Sequence, residues 1–194
     1  MKPFNIYLIG VGGQGIGLLS EVLLRAADYA GHNIKAVDTH GLAQRGGVVV
    51  SNLRWGPGVY SPIIPEGEAD LLVALERYEA LRGMNVALKD NGTLIYYNTV
   101  WQPLDVRLRR AGETEEDTIS RTCEKRGIRE FKVIDPRLKD ARMQNVVVLG
   151  EIHKHQLVPR ITIDDYRKAM EDLLQGRTLD QNLQLFQEVA HGKA

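Results

Sequence analysis

Of 194 residues only one is cysteine, Cys123, and this scarcity sets the first limit on what the chain does. A single thiol closes no internal disulfide and falls short of the cysteine sets that hold iron–sulfur clusters and structural zinc. Long apolar runs are also missing. The run Ile6–Ile9 is far shorter than a signal-peptide core or a membrane span, so the expectation is a cytoplasmic chain with no membrane partner. Excess charge of one sign is absent too, with 25 basic against 25 acidic residues. Without a long-range positive field, nucleic acid is not an expected partner. Histidines are few: His153 and His155 at i, i+2 share no helix face, and His32 and His191 stand alone, so no metal site is expected. His40, beside a turn, reads as structural rather than catalytic.

What the chain does have is an alternation of strand-like and helix-like segments. Asn5–Ile9 is apolar and ends at Gly10, as a strand buried on both faces would. Ile16, Leu19, Leu23, Ala26, Ala27 and Ala30 recur at helical spacing, and Gly31-His32-Asn33 supplies a stop. Ile34–Val37 then reads as a second strand, which makes a right-handed parallel crossover. Further strands are expected at Val48–Leu53, Ala69–Leu75, Thr93–Tyr97, Leu104–Leu108 and Phe131–Ile134. A helix from Arg77 to Leu88 is expected to stop at Asn91-Gly92, and the charged stretch Glu113–Arg126 reads as an exposed, peripheral helix. Ile163–Leu174 and Leu179–Ala190 are amphipathic helices, the first capped by Thr162 or Asp164. Asn145–Leu149 fits either strand or buried helix by periodicity alone. Arg107, Arg109 and Arg110 read as a solvated or intersubunit face.

Chemistry concentrates in two places. Gly10-Val11-Gly12-Gly13-Gln14-Gly15 has the spacing G-x-G-x-x-G between the first strand and its helix. Glycines there allow positive φ and close backbone approach, and the free N–H groups of the helix N-terminus favour an anionic guest. Asp38, near the end of the second strand, sits where a dinucleotide fold places its ribose-binding carboxylate. Three readings of the turn stay open at this point: tight strand–helix packing, a dinucleotide site, and an interface. The second place is Thr39-His40-Gly41-Leu42-Ala43-Gln44-Arg45-Gly46-Gly47, a polar, glycine-rich connection longer than an ordinary turn and carrying a guanidinium, an imidazole and an amide.

The turn GVGGQG, the loop THGLAQRGG and the following strand VVVSNLRWG together resemble the small, gamma-type subunit family of the 2-oxoacid:ferredoxin oxidoreductases, and within it the indolepyruvate branch. Ser61-Pro62-Ile63, Ala69–Glu76, Glu79–Arg82, Gly92–Asn98 and Asn145–Gly150 extend the resemblance over nearly the whole chain. It implies an α/β fold in three layers, with a mixed, mostly parallel sheet and a Rossmann-like start. The chain would be a single domain over residues 1–194, with 155–194 a C-terminal helical extension. It also implies that Asn145–Leu149 is helical.

The function implied is that of an oxidoreductase subunit, inactive by itself, which completes the site for thiamine-diphosphate-dependent oxidative decarboxylation of a 2-oxoacid to an acyl-CoA. Thiamine diphosphate, magnesium, iron–sulfur clusters and CoA would enter through a large partner subunit, with ferredoxin met indirectly. No catalytic residue is assigned. Gly10, Gly12, Gly13, Gln14 and Gly15, with Thr39, Gly41, Gln44, Arg45, Gly46 and Gly47, are the expected binding residues, lying in loops at the carboxyl ends of adjacent parallel strands. Gln14 would offer its amide outward, and Arg45 would pair an anionic group bidentately. The alternative is a stand-alone NAD(P)- or flavin-binding oxidoreductase built on the same turn and Asp38.

Overall fold

The computed structural model describes residues 2–40, 47–100, 116–138 and 140–192. Its elements run β1 (Phe4–Val11), α1 (Ile16–Tyr29), β2 (Ile34–His40), β3 (Val48–Trp55), β4 (Ala69–Ala74), α2 (Arg77–Val86), β5 (Leu88–Tyr97), α3 (Glu116–Arg126), β6 (Arg129–Val133), α4 (Gln144–Lys154), α5 (Ile163–Leu173) and α6 (Gly176–Ala190). A 3₁₀ turn, Ala141–Met143, leads into α4.

The six strands form one sheet in the order β2-β3-β1-β4-β5-β6. From β1 outward through β4, β5 and β6 all pairs are parallel, whereas β3 runs antiparallel to both β1 and β2. The expected parallel crossover from β1 to β2 therefore exists, but β3 occupies the place between them. The two glycine-rich segments do not follow adjacent strands, which corrects the expectation from sequence. The reason is local: β2 and β3 are consecutive and pair as a hairpin, so β3 is the strand that reaches β1.

Strand alternation sorts the core into two layers. Ile6 and Leu8 of β1 and Leu71 and Val73 of β4 point to the side of α1, α4, α5 and α6. Ile9, Leu72 and Ala74 point the other way, against Ala80 and Met84 of α2 and Ile119 and Cys123 of α3. The result is helix, sheet, helix, as the resemblance implied. Each fully buried Leu, Ile or Val side chain contributes roughly 1.5–3 kcal/mol of transfer free energy, and these two layers hold most of them.

Several boundaries differ from the sequence reading. The strand expected at Thr93 begins at Leu88 and runs through Asn91, whose φ of 59° bends it rather than ending it. The helix read as peripheral packs Ile119 and Cys123 fully into the second layer, because its sparse apolar residues fall on one stripe. Asn145–Leu149 is helical, inside α4, and Thr162 caps α5 in a reciprocal box with Asp165. α5 and α6 pack on α1 and α4 as part of the first layer. The expected strand Leu104–Leu108, the arginines at 107, 109 and 110, and the start of the helix expected at Glu113 lie outside the described residues.

Among the described residues no helix is long and apolar enough to cross a membrane.

Candidate functional site

β1 and β4 lie side by side and parallel, yet α1 leaves β1 toward one face and α2 leaves β4 toward the other. Their carboxyl ends thus meet at a topological switch point, the place where open α/β sheets put a ligand crevice. The Gly10–Gly15 turn leaves β1 on one side of this point and Leu75-Glu76 leaves β4 on the other.

Inside the turn the glycines divide by role. A Cβ on Gly10 would come within 2.8 Å of Ile16 Cγ1 and 2.9 Å of Gln14 Oε1, and one on Gly15 within 2.5 Å of Asn145 Nδ2. Packing alone therefore demands glycine at both. Gly15 also holds φ +84° as the residue before α1, and no side chain caps that helix. Gly13 differs: it is exposed, at φ +104°, and the space where its Cβ would sit is open. Gly17, in the first turn of α1, has open space too at an ordinary helical φ, so nothing among the described residues explains why it is glycine.

Gln14 is turned inward. Only 1% exposed, it accepts from Val11 N at 2.7 Å through Oε1 and donates to the Leu75 carbonyl at 3.3 Å through Nε2. Its amide shapes the turn instead of facing a ligand, since burying it unpaired would cost about 1–3 kcal/mol. The same carbonyl accepts from Gln144 Nε2 at 3.4 Å, and Asn145 Nδ2 donates to Gly15 O at 3.2 Å. The start of α4 is thereby clamped onto the turn.

Gly12 N donates to Gly47 O at 2.8 Å, so the structure does join the turn to the end of the second glycine-rich segment. Thr39 lies exposed near the end of β2, paired opposite Val50. Gly41, Gln44, Arg45 and Gly46 lie outside the described residues. Asp38 accepts from Ser20 Oγ at 3.2 Å under α1. With β3 interposed, Asp38 stands two strand spacings, ~10 Å, from β1, which removes the second anchor of the dinucleotide reading.

Sequence reasoning missed an acidic pair on the β4 side. Glu76 accepts from Glu79 N at 2.5 Å and caps α2, and both residues are buried. Arg82 Nε stands 3.1 Å from Glu79 Oε2. Burial pushes the Glu79 carboxyl up to about 7, opposed by the Arg82 charge and reinforced by that of Glu76. Burial and the Glu79 charge also raise the Tyr7 phenol. The signal was present as E-x-x-E just after β4, apolar but for Asp70, a position where a capping acid is common.

Because Glu79 holds its proton more tightly folded than unfolded, its contribution to stability is full below pH ~4.5 and is lost as pH rises through about 7. Glu79→Gln should therefore match the parent chain at low pH and exceed it by up to about 3 kcal/mol above pH ~8. Denaturant melts of the two chains across pH check this; parallel curves would refute it.

The family model for pyruvate ferredoxin/flavodoxin oxidoreductase (POR) matches residues 5–191. The chain belongs to this family. It is 36% identical over 192 residues to the indolepyruvate oxidoreductase subunit IorB of Archaeoglobus fulgidus, covering 92% of this chain and 90% of that one. With the subunit of the same name from Methanothermobacter thermautotrophicus the identity is 33%, covering 95% of each. Among solved structures, the gamma subunit of a keto/oxoacid ferredoxin oxidoreductase from Geobacter sulfurreducens superposes with a TM-score of 0.66 at 18% identity, over 97% of this chain and 96% of that one. A 2-oxoglutarate:ferredoxin oxidoreductase from Magnetococcus marinus, solved with 2-oxoglutarate, coenzyme A and succinyl-CoA bound, matches with a TM-score of 0.73 at 18% identity. There the match covers 99% of this chain but 32% of the solved one, so this chain spans about a third of that length. The family fold is thus found both as a separate chain and within a longer one.

Among the described residues the donor set fits neither a cluster nor a metal ion. Its one cysteine is buried, and its thiol is pushed up to about 12 mainly by that burial. Among the described residues no three His, Cys, Asp or Glu side chains gather to hold a metal.

Proposed function

We propose that this chain is the small subunit of a 2-oxoacid:ferredoxin oxidoreductase acting on indolepyruvate or a related aryl-pyruvate, and that its crevice edge completes the active site on a large partner subunit. Thiamine diphosphate, with magnesium, supplies the decarboxylation chemistry in such an enzyme, and iron–sulfur clusters pass electrons to ferredoxin. With one cysteine and no metal-ligand cluster in the described part, this chain leaves those groups and CoA to the partner. Its own share is to close the site, exclude water and place backbone donors. The uncapped N-terminus of α1 favours an anionic group presented by the partner, with Arg45 as a second, bidentate contact.

The observation that carries the reading is the outward-open backbone at Gly13 and Gly17. Gly10 and Gly15 answer to internal packing; Gly13 and Gly17 leave room for something outside the chain to approach the helix N-terminus. Gly17 gives the test. In the isolated chain Gly17→Ala should stabilise α1 by about 0.5 kcal/mol, as helix propensity dictates. Gly17→Leu should fold equally well, yet cost about tenfold or more in affinity for the large subunit or in reconstituted activity, since added bulk in a packed contact costs 1–3 kcal/mol. A Gly17→Leu chain that assembles and works like the parent would sink the proposal.

A further inference from the structure

Outside the glycine turn, the densest chemistry that the proposed function does not use is the acidic pair at the start of α2. Glu79 faces Glu76 and Arg82 from its own helix and Tyr7 from β1. Arg126 of α3, a cation on the neighbouring helix, is committed to the carbonyls of Met84 and Leu88 and to Asp90. Glu79 Oε2 is shielded from solvent and accepts no hydrogen bond of good geometry, its Arg82 contact being an ion pair to a side chain 58% exposed.

This pair is wired to the crevice. Glu76 directly follows Leu75, whose N–H donates to Ile9 O at 3.1 Å and whose carbonyl holds both Gln14 and Gln144. Those two bonds, at 3.3 and 3.4 Å, sit at the long end of hydrogen-bond geometry, so a small displacement of the carbonyl tightens or breaks them. Gln14 in turn fixes Val11 N at the head of the turn.

We propose that Glu79 is a proton-linked positioning residue, whose gain or loss of a proton is passed through the Glu76 cap and the Leu75 carbonyl to Gln14 and resets the Gly10–Gly15 turn. With Glu79 neutral, Glu76 keeps its cap bond free of a like charge and Arg82 turns to water. With Glu79 ionised, two carboxylates one helical turn apart repel in a poorly solvated site, Arg82 is drawn in, and the first turn of α2 shifts against β4. That this tunes docking of a partner subunit rests on the functional reading above; the transmission within the chain does not.

The experiment is amide NMR of the full isolated chain, titrated from about pH 5.5 to 8.5. Val11, Gly13 and Gln14, together with the side-chain amides of Gln14 and Gln144, should shift with one shared midpoint near neutrality. In Glu79→Gln that titration should vanish, and in Arg82→Gln its midpoint should move upward, because the cation favouring the ionised carboxyl is gone. Turn amides that stay flat in the parent chain overturn the proposal. So does a titration that persists in Glu79→Gln, as a histidine would cause, or one unmoved by Arg82→Gln. The Arg82 variant changes an exposed side chain, so the test survives if Glu79→Gln folds poorly. No partner takes part, so failure here leaves the docking proposal standing, and failure of the Gly17 test leaves this one.

Discussion

A Gly15→Val chain is expected to lose about 4 kcal/mol of stability and, in the reconstituted complex, about a hundredfold in activity. Three costs add. The φ of +84° places an L-residue in the left-handed region, worth roughly 1–2 kcal/mol and more for a β-branched side chain. The new Cβ would lie 2.5 Å from Asn145 Nδ2, so Asn145 must move. In moving, it gives up its bond to Gly15 O, a further ~1 kcal/mol, and disturbs the buried start of α4. The functional loss follows from geometry rather than stability: the displaced turn carries Gly12 and Gly13 with it, and misplacement by about 1 Å suffices for a hundredfold effect. Thermal melts of the isolated chain and turnover of the complex, both measured well below the transition, separate the two losses. A variant that melts low but turns over normally when cold would show that the turn is scaffold only.

The position of that turn was legible in the sequence, and its division of labour was not. G-x-G-x-x-G after an apolar strand locates a strand–turn–helix unit, because spacing and periodicity are local properties. Whether Gly15 exists for a ligand or for Asn145 depends on a contact 130 residues away in the chain, which no local pattern encodes. Gln14 misled for the same reason. An amide in a glycine-rich turn reads as an outward donor until the Leu75 carbonyl is found beneath it. The hairpin pairing of β2 with β3, and hence the separation of Asp38 from β1, required knowing that the strand after the polar loop turns back instead of crossing over. The acidic pair was visible as residues but not as a buried pair, because burial is set by the packing of α2 against the sheet. The helix at Asn145 came from resemblance alone; its β-branched valines favour a strand, and tertiary packing overrode them.

The second large effect is expected far from the crevice. Phe186→Ala should cost about 3–5 kcal/mol and lower the melting temperature by roughly 6–20 °C for a chain of this size. Phe186 is fully buried, its ring 5.4 Å from Tyr166 and 6.0 Å from His153, where α4, α5 and α6 meet. Gly150 lets α6 approach α4 so closely that an added Cβ would stand 2.7 Å from Val189, leaving little freedom for the helices to close over a lost ring. A hole there also admits water to His153, which burial and the neighbouring His191 hold below its ordinary range, so its titration should move back upward in the variant. The clamp on the turn should survive. Gln144 lies six residues before Gly150, ~9 Å along the helix axis, and its bond to the Leu75 carbonyl does not pass through the damaged layer. Measured well below its lowered transition, Phe186→Ala should therefore bind the proposed large subunit like the parent chain, where Gly15→Val should fail at every temperature. If both variants lose affinity in proportion to stability alone, the crevice edge has no special claim as the docking surface; if only the glycine variant does, affinity tracks the geometry of the turn and not the rigidity of the core beneath it.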